Sequence, residues 1–313
     1  MATAITYTAL GGPDVLTLTD IDLPDPGPGE VAVRIEAAGV NPLDHKLRSG
    51  LRPSPPITTP RRVGADGAGI VTAVGADVEG LRVGQPVLIS GGAGLYASDV
   101  VVPAATLTPR PPQVSAAEAA ALGIPFGTAY QTLRSLAVGA GDTLLVHGGS
   151  GAVGQAVIQF AVLWGARVLA TTSDRRADRV RALAATPIAY GEGLVDRVRA
   201  AAPEGVTVAI DIAGTEEALQ ASIDLVADRD RIATLVRGAD ADGLGIRAFM
   251  GGSPRPLTAR EQAWRAEAMP VTLHLLAAGR FSVELGPQLP LAEAAEAHRL
   301  VESGVDGKVV LLP

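Results

Sequence analysis

The chain has 313 residues, 47% of them hydrophobic, a formal net charge of −7 at pH 7 and no cysteine. That length exceeds one ordinary core and sets two domains as the starting expectation, while the apolar fraction excludes a disordered chain. Without cysteine there are no disulfides, thiolate metal sites or thiol nucleophiles, and an acidic balance with no basic tract excludes nucleic acid as an expected partner.

Residues 4–7, 15–18 and 31–35 have strand-like patterns, the last two separated by the turn Pro24-Asp25-Pro26-Gly27-Pro28-Gly29-Glu30. Prolines at 53, 55, 56 and 60 make residues 51–60 an exposed loop. From Gly64 to Val102, β-like runs at 69–75, 87–89 and 100–102 alternate with glycines, so the first third reads as an irregular, mostly antiparallel β unit. The texture changes at Pro109-Arg110-Pro111-Pro112, and Ser115-Ala116-Ala117-Glu118 has the capping-box pattern of a helix start. Strands are then predicted at 143–146, 167–171, 206–211, 231–236 and 244–250, and helices near 152–164, 176–185, 194–201 and 215–226. Alternation at this spacing predicts a parallel, doubly wound sheet. The chain closes with a helix end at 273–278, a strand at 281–285, a helix at 291–302 and a strand at 308–312. The longest apolar stretch, 152–166, carries Gln155 and Gln159 and is too short for a bilayer. The start Met1–Tyr7 lacks the segments of a secretory signal. A cytoplasmic enzyme with no membrane partner is expected.

The most informative stretch is 142–154. The apolar run Thr143–Val146 feeds Gly149-x-Gly151-x-x-Gly154 and then a helix, the order that gives this glycine spacing a meaning. Gly149 allows the tight turn, Gly151 lets a pyrophosphate approach, and Gly154 lets helix and strand pack closely. Ser150, Ala152 and Val153 complete the loop, and the helix N-terminus offers unpaired N–H groups to phosphate. A Rossmann dinucleotide site is expected; the plainer alternative is a tight turn with no ligand.

With that motif placed, the chain resembles the medium-chain dehydrogenases/reductases, and within them the zinc-free quinone oxidoreductase (zeta-crystallin-like) and enone reductase branch. The resemblance runs nearly end to end. It is carried by Gly39-Val40-Asn41-Pro42-Leu43-Asp44-His45-Lys46-Leu47-Arg48-Ser49-Gly50, Gly64-Ala65-Asp66-Gly67-Ala68-Gly69, the run from Ala121 to Tyr130, the glycine turn, and Ala295-Glu296-Ala297-His298-Arg299. It implies an α/β chain: a GroES-like β-rich substrate domain from 1–113 and 273–313, and a Rossmann NADP-binding domain at 114–272, with the active site in the cleft between them. Zinc-dependent members take a cysteine, a histidine and a second cysteine where this chain has Asn41, Ala65 and Ile124, so no metal is expected.

An NAD-selecting carboxylate is expected about 20 residues past the glycines. Here that place reads Leu169-Ala170-Thr171-Thr172-Ser173, followed by Asp174, Arg175, Arg176 and Arg179. Ser173 with nearby guanidinium groups suits a 2′-phosphate, so NADPH is the expected cofactor. Asp174 reads better as a helix N-cap, and the arginines have a solvated helix face as their alternative. The resemblance adds Tyr190 near the same phosphate, Thr128 at the nicotinamide end and Lys308 near the cofactor. Their alternatives are strand-end burial, a helix-start hydroxyl and a solvated strand residue.

Hydride transfer leaves charge on a carbonyl oxygen, which needs a hydrogen-bond donor and a proton. Asn41 and Lys46 are the candidates, Lys46 partly because only it and Lys308 are lysine among 26 basic residues and lysine, unlike arginine, can release a proton. Its alternative is a surface side chain. Asp44 and Asp66 read as structural, fixing the Asn41 loop and the 64–69 turn; His45 and His147 read as satisfied local residues. Loops 51–60 and 90–96 carry few polar groups and suggest an apolar substrate. The reading is an NADPH-dependent reductase of a small apolar quinone or α,β-unsaturated carbonyl compound, a homodimer paired through strand 245–250. Alternatives are a pathway-specific enone reductase and a non-catalytic NADPH-binding protein.

Overall fold

A period of two governs the N-terminal strands of the computed structural model, which describes residues 1–249, 253 and 255–313. In chain order these are β1 (Ala2–Tyr7), β2 (Thr17–Ile21), β3 (Glu30–Gly39), β4 (Arg61–Arg62), β5 (Asp66–Val74), β6 (Pro86–Ser90), β7 (Asp99–Pro103) and β8 (Leu107–Pro109). Val31, Val33 and Ile35 of β3 point into a core shared with Val71, Val87, Ile89 and Val100. Two helices join them. Residues 42–49, to which the sequence reading gave no element, form α1 (Pro42–Ser49), with Pro42 in its first turn and Gly50 closing it at φ +79°. The expected capping box opens α2 (Ala116–Ala120), where Ser115 Oγ accepts from the Glu118 N–H and the Glu118 carboxylate accepts from the Ser115 N–H.

The middle of the chain carries α3 (Gly123–Ser135), β9 (Thr143–His147), α4 (Ala152–Leu163), β10 (Arg167–Thr172), α5 (Ala177–Ala182), β11 (Thr186–Ala189), α6 (Leu194–Ala201), β12 (Val208–Asp211), α7 (Glu216–Leu225), β13 (Ile232–Thr234), α8 (Ala241–Leu244), β14 (Arg247–Ala248) and α9 (Ala259–Ala277). Among the described residues the six strands pair in parallel in the order β11-β10-β9-β12-β13-β14. The order reverses between β9 and β12. That is the topological switch point where doubly wound sheets bind ligands, at the carboxyl ends of the strands.

The last segment adds β15 (Leu285–Pro290), α10 (Ala294–Glu302) and β16 (Lys308–Leu312). β16 lies antiparallel to β3, with Val310 opposite Gly39, and so joins the sheet β15-β16-β3-β5-β6-β8, on which β7 also pairs with β3. The chain divides into one unit of Met1–Ile124 with Met269–Pro313 and a second of Pro125–Ala268. The boundaries read from sequence were 113/114 and 272/273; α2 instead packs on β3 and β5 of the first unit.

Several elements differ from the sequence reading. β11 was not among the predicted strands; it carries Pro187 and is the edge strand, where a missing N–H is tolerated. The strand expected at 244–250 is only Arg247–Ala248, since 241–244 form α8, capped by Gly245 at φ +65°; Met250 lies outside the described residues. The strand expected at 281–285 begins at Leu285, and Phe281 is buried instead. Helix 176–185 is shortened to α5, preceded by the 3-10 turn Asp174–Arg176.

The carboxyl end of β12 is held by one side chain. Asp211 is fully buried and accepts from Thr234 Oγ1 at 2.8 Å and from the N–H groups of Ala213 and Gly214 at 3.0 and 2.8 Å. Removing it strands these donors, so Asp211→Ala is expected to lower unfolding free energy by about 2–4 kcal/mol in denaturant titration. A loss under about 0.5 kcal/mol, the size of an ordinary surface change, would contradict this account.

Candidate active site

Space is what the glycine turn provides. A Cβ on Gly149 would lie 2.5 Å from the Ala170 Cβ, and one on Gly154 would lie 2.3 Å from the Gly148 carbonyl oxygen. Both positions are therefore closed by the protein itself. On Gly151 the nearest atom to an added Cβ is the Gly148 oxygen at 3.6 Å. Gly151 is exposed and caps α4; its missing side chain leaves room in front of the helix N-terminus, which a pyrophosphate fits. Thr171 pins the entry to the turn, accepting from Gly148 N–H at its hydroxyl (3.1 Å) and from Gly149 N–H at its carbonyl (3.0 Å).

The arginines after β10 divide in two. Arg176 Nη2 donates to the Ser150 carbonyl at 3.0 Å; Arg179 Nε donates to Gln155 Oε1 at 2.8 Å, and Gln155 in turn donates to the same carbonyl at 2.8 Å. These two brace the glycine loop, while Arg175 is exposed. Ser173, half-buried, caps the 3-10 turn that Asp174 opens, so Asp174 is not the helix cap expected of it. Tyr190 is 60% exposed, which removes the strand-end burial considered for it. Thr128 is buried on α3 and its hydroxyl accepts from Arg265 Nη1 at 3.0 Å. Sequence reasoning gave Arg265 no role. His147 is buried at the end of β9, where its Nε2 has no hydrogen-bond partner among the described residues; burial lowers its pKa to about 4.

In the first unit a buried polar line forms around Asn41. Asn41 Nδ2 donates to Asp66 Oδ2 at 3.0 Å, and its Oδ1 accepts from Lys308 Nζ. Asp66 Oδ2 also accepts the Ile124 N–H at 2.9 Å. Asp44 accepts the Asn41 N–H at 2.8 Å and the Tyr96 hydroxyl at 2.8 Å. Asn41, Asp44, Asp66, Tyr96 and Lys308 are all buried. Burial raises the Asp44 pKa to about 6 against the lowering pull of its two hydrogen bonds, and burial pushes the Lys308 ammonium down, partly offset by Asp66 and Asp44. Asp44 and Asp66 thus have the structural role expected of them. Lys308 is not the solvated strand residue considered for it, and Lys46 lies exposed on α1, outside Asn41's set of partners.

Tyr96, within a loop read only as apolar lining, was missed, as was a second group behind it. His298 is fully buried, packs edge-on to Tyr96 at 5.9 Å, and has no hydrogen-bond partner at either ring nitrogen among the described residues. Burial, with Arg48 and His45 nearby, lowers its pKa to about 3. Arg48, also buried, pairs with Glu302. One compositional signal was available: Asn41 is the only asparagine in the chain.

Residues 27–112 match the alcohol dehydrogenase GroES-like domain, and residues 183–311 the zinc-binding dehydrogenase family. The quinone oxidoreductase of Pseudomonas aeruginosa is 32% identical over 331 residues, covering 100% of both chains. The chain belongs to the quinone oxidoreductase branch of the medium-chain dehydrogenases/reductases. Its fold matches that of the Escherichia coli quinone oxidoreductase, solved as a complex with NADPH, at a TM-score of 0.85 with 27% identity over 99% of this chain and 100% of that one. An NAD-dependent alcohol dehydrogenase matches at 0.84 with 34% identity over 99% of each. In this branch member the donor set at Asn41 does not fit a zinc ion. The Lys308 ammonium sits against Asn41 Oδ1, Ala65 has no ligand atom, and Ile124 offers only an N–H already given to Asp66.

The buried groups fix a pH dependence. His147 and His298, held below the usual 6.5, stay neutral in the fold while the unfolded chain takes up protons, so their stabilisation is complete above pH 6.5 and is lost as pH falls toward about 4 and about 3. Asp44, raised above 3.8, acts oppositely below about pH 6 and offsets one histidine. Stability measured in denaturant should therefore fall below pH 6.5, each histidine contributing at most about 1.4 kcal/mol per pH unit. His298→Phe, which keeps an edge-on ring, should flatten that slope; an unchanged slope would show that His298 is not held neutral.

Proposed function

We propose that the protein catalyses NADPH-dependent, zinc-independent reduction of a small apolar quinone, with α,β-unsaturated carbonyl compounds as a second substrate class. The observation that carries the reading is the open Gly151 position at the switch point of the parallel sheet, framed by glycines that the protein's own packing demands. The relatives named quinone oxidoreductase and the NADPH complex of the Escherichia coli protein support it.

NADPH would be held by the turn Gly149–Gly154 and by the Ala152 and Val153 N–H groups, with Ser173, Arg175, Arg176 and Arg179 toward the 2′-phosphate. Thr128, Tyr190 and Lys308 are further candidates for its contacts. When bound it supplies a hydride. The protein's part is to hold the acceptor and stabilise the oxygen that gains charge. Asn41 offers that oxygen an amide N–H. One Nδ2 hydrogen is committed to Asp66, while the other makes only a 3.4 Å contact with the Gly39 carbonyl and can be redirected. Lys46, exposed beside this segment, is the candidate to supply the proton that completes the hydroquinone or saturated ketone. Quinone, NADPH and one proton then give hydroquinone and NADP+.

The same reading includes a cytoplasmic location, no nucleic-acid partner and a homodimer paired along 245–250. The dimer is supported by β14 ending the strand order among the described residues. No helix among them is long and apolar enough to cross a membrane.

Consumption of NADPH and NADH should be compared with 1,4-quinones, 1,2-quinones and simple enones. The expected result is quinone turnover with kcat/KM for NADPH at least about tenfold above that for NADH, and loss of that preference in Ser173→Asp, which places a carboxylate where a 2′-phosphate would lie. Turnover of enones alone would favour a pathway-specific reductase; NADPH binding with no turnover would favour a non-catalytic protein and end the enzymatic reading. Lys46→Ala should lower kcat by about tenfold or more relative to the exposed control Arg280→Ala. Equal rates would remove Lys46 from the mechanism.

A further inference from the structure

Three strands bring the polar line together. Lys308 opens β16, Gly39 ends β3 opposite Val310, and Asp66 opens β5 opposite Gly39. Asn41 follows β3 directly and lies between a cation on one side and a carboxylate on the other.

The composition makes this juxtaposition unusual. The chain has one asparagine and two lysines among 26 basic residues, and the asparagine meets one of the two lysines 267 positions away. Arginine is this chain's default cation, yet position 308 keeps lysine. The surroundings give a steric reason. A Cβ on Gly39 would lie 2.0 Å from the Ala120 carbonyl oxygen and 3.3 Å from Lys308 Cε, so the lysine stem runs past a point already closed by backbone. A planar guanidinium is broader and needs more partners than this passage holds. At the other end a Cβ on Gly123 would lie 2.0 Å from Asp66 Oδ1. Both ends of the line are thus given room by a missing side chain.

An ammonium can only donate, and a carboxylate in its charged form can only accept. Asn41 therefore satisfies both neighbours in one orientation alone, Oδ1 toward Lys308 and Nδ2 toward Asp66. Turning the amide over would set N–H against N–H and oxygen against oxygen. The cation at Oδ1 also draws density from the amide, which strengthens Nδ2–H as a donor, as in any hydrogen-bonded chain in a low-dielectric interior.

We infer that Lys308 is a positioning residue for the reduction, acting through Asn41 by fixing the orientation of its amide and polarising it toward the acceptor's carbonyl oxygen. This rests on the reading of Asn41 as the group that binds that oxygen. The charged and titratable groups facing Lys308 are Asp66 on β5 and Asp44 on α1, with Tyr96 hydrogen-bonded to Asp44. Burial lowers the Lys308 pKa, and Asp66 and Asp44 partly offset it.

The sequence allows a direct test on the unaltered chain. Labelling the asparagine side-chain amide with nitrogen-15 gives a single NH2 pair, that of Asn41, and labelling lysine Cε with carbon-13 gives two signals, Lys46 and Lys308. The signal lost in Lys46→Ala assigns the pair. In a pH titration the Asn41 amide pair should shift with the same midpoint as the Lys308 signal. With quinone as acceptor and NADPH saturating, Lys308→Met should lower kcat at least about tenfold while KM for the quinone changes less than about twofold, as expected when a transition-state interaction is lost. An amide pair that ignores the Lys308 transition overturns the inference, as does a Lys308→Met protein that retains folded spectra and full kcat. Wild-type protein that turns over no acceptor would overturn the functional reading instead, and the amide titration would still decide whether Lys308 orients Asn41.

Discussion

A charge taken out of water has to find its counter-charge inside the fold. In the first unit one ammonium and two carboxylates are buried, and Asn41 bridges Lys308 to Asp66. The sheet register makes this possible, because β16, β3 and β5 are neighbours and carry Lys308, the approach to Asn41, and Asp66 at adjoining ends. Breaking such a set at one member leaves a buried ion uncompensated, which is far more destabilising than removing a surface pair. The arrangement of the first unit therefore follows from keeping this line closed. Gly39 and Gly123 lack side chains for it, and the Asp44 carboxylate that steadies Asn41's backbone is itself held by Tyr96.

The second unit is organised by close approach rather than charge. Gly149 and Gly154 bring β9, β10 and α4 nearer than any side chain permits, while Thr171 and the Arg176–Ser150–Gln155 bonds hold the loop in place. Of the three motif glycines, only Gly151 is small without a neighbour that requires it. A rigid turn with one unfilled position is what a preformed anion site demands, since the N–H groups must point outward before the ligand arrives.

Much of this was legible in the sequence where local and global preferences agree. From β9 to β13 most strands and helices alternate with clean apolar patterns, and the reading was close to the structure. Local chemistry misled it where tertiary context wins. Pro187 hides an edge strand, Gly245 ends a helix inside a predicted strand, and Phe281 belongs to a core rather than a strand. The site divides similarly. The glycine turn could be read because its residues are consecutive. Asn41 and Lys308 each drew attention alone, but nothing local signals a contact across 267 residues, so their pairing went unread while Lys46, five positions from Asn41, was grouped with it. The lone asparagine was the unused clue. His298 and Arg48 gave no signal, since burial of a polar ring or guanidinium depends on what packs around it.

The pairing of β16 with β3 has a consequence for how the protein comes into being. A chain leaves the ribosome from its N-terminus, and domains tend to fold as they emerge. Asn41 and Asp66 are made early, but the cation that meets the amide is made 267 residues after Asn41. Until then the β unit lacks a strand and its carboxylates lack their buried partner. The parallel sheet of 143–248, contiguous in sequence, has no such dependence. During synthesis the glycine turn can thus be complete while the Asn41 line is not, and that line closes only once β16 has been made.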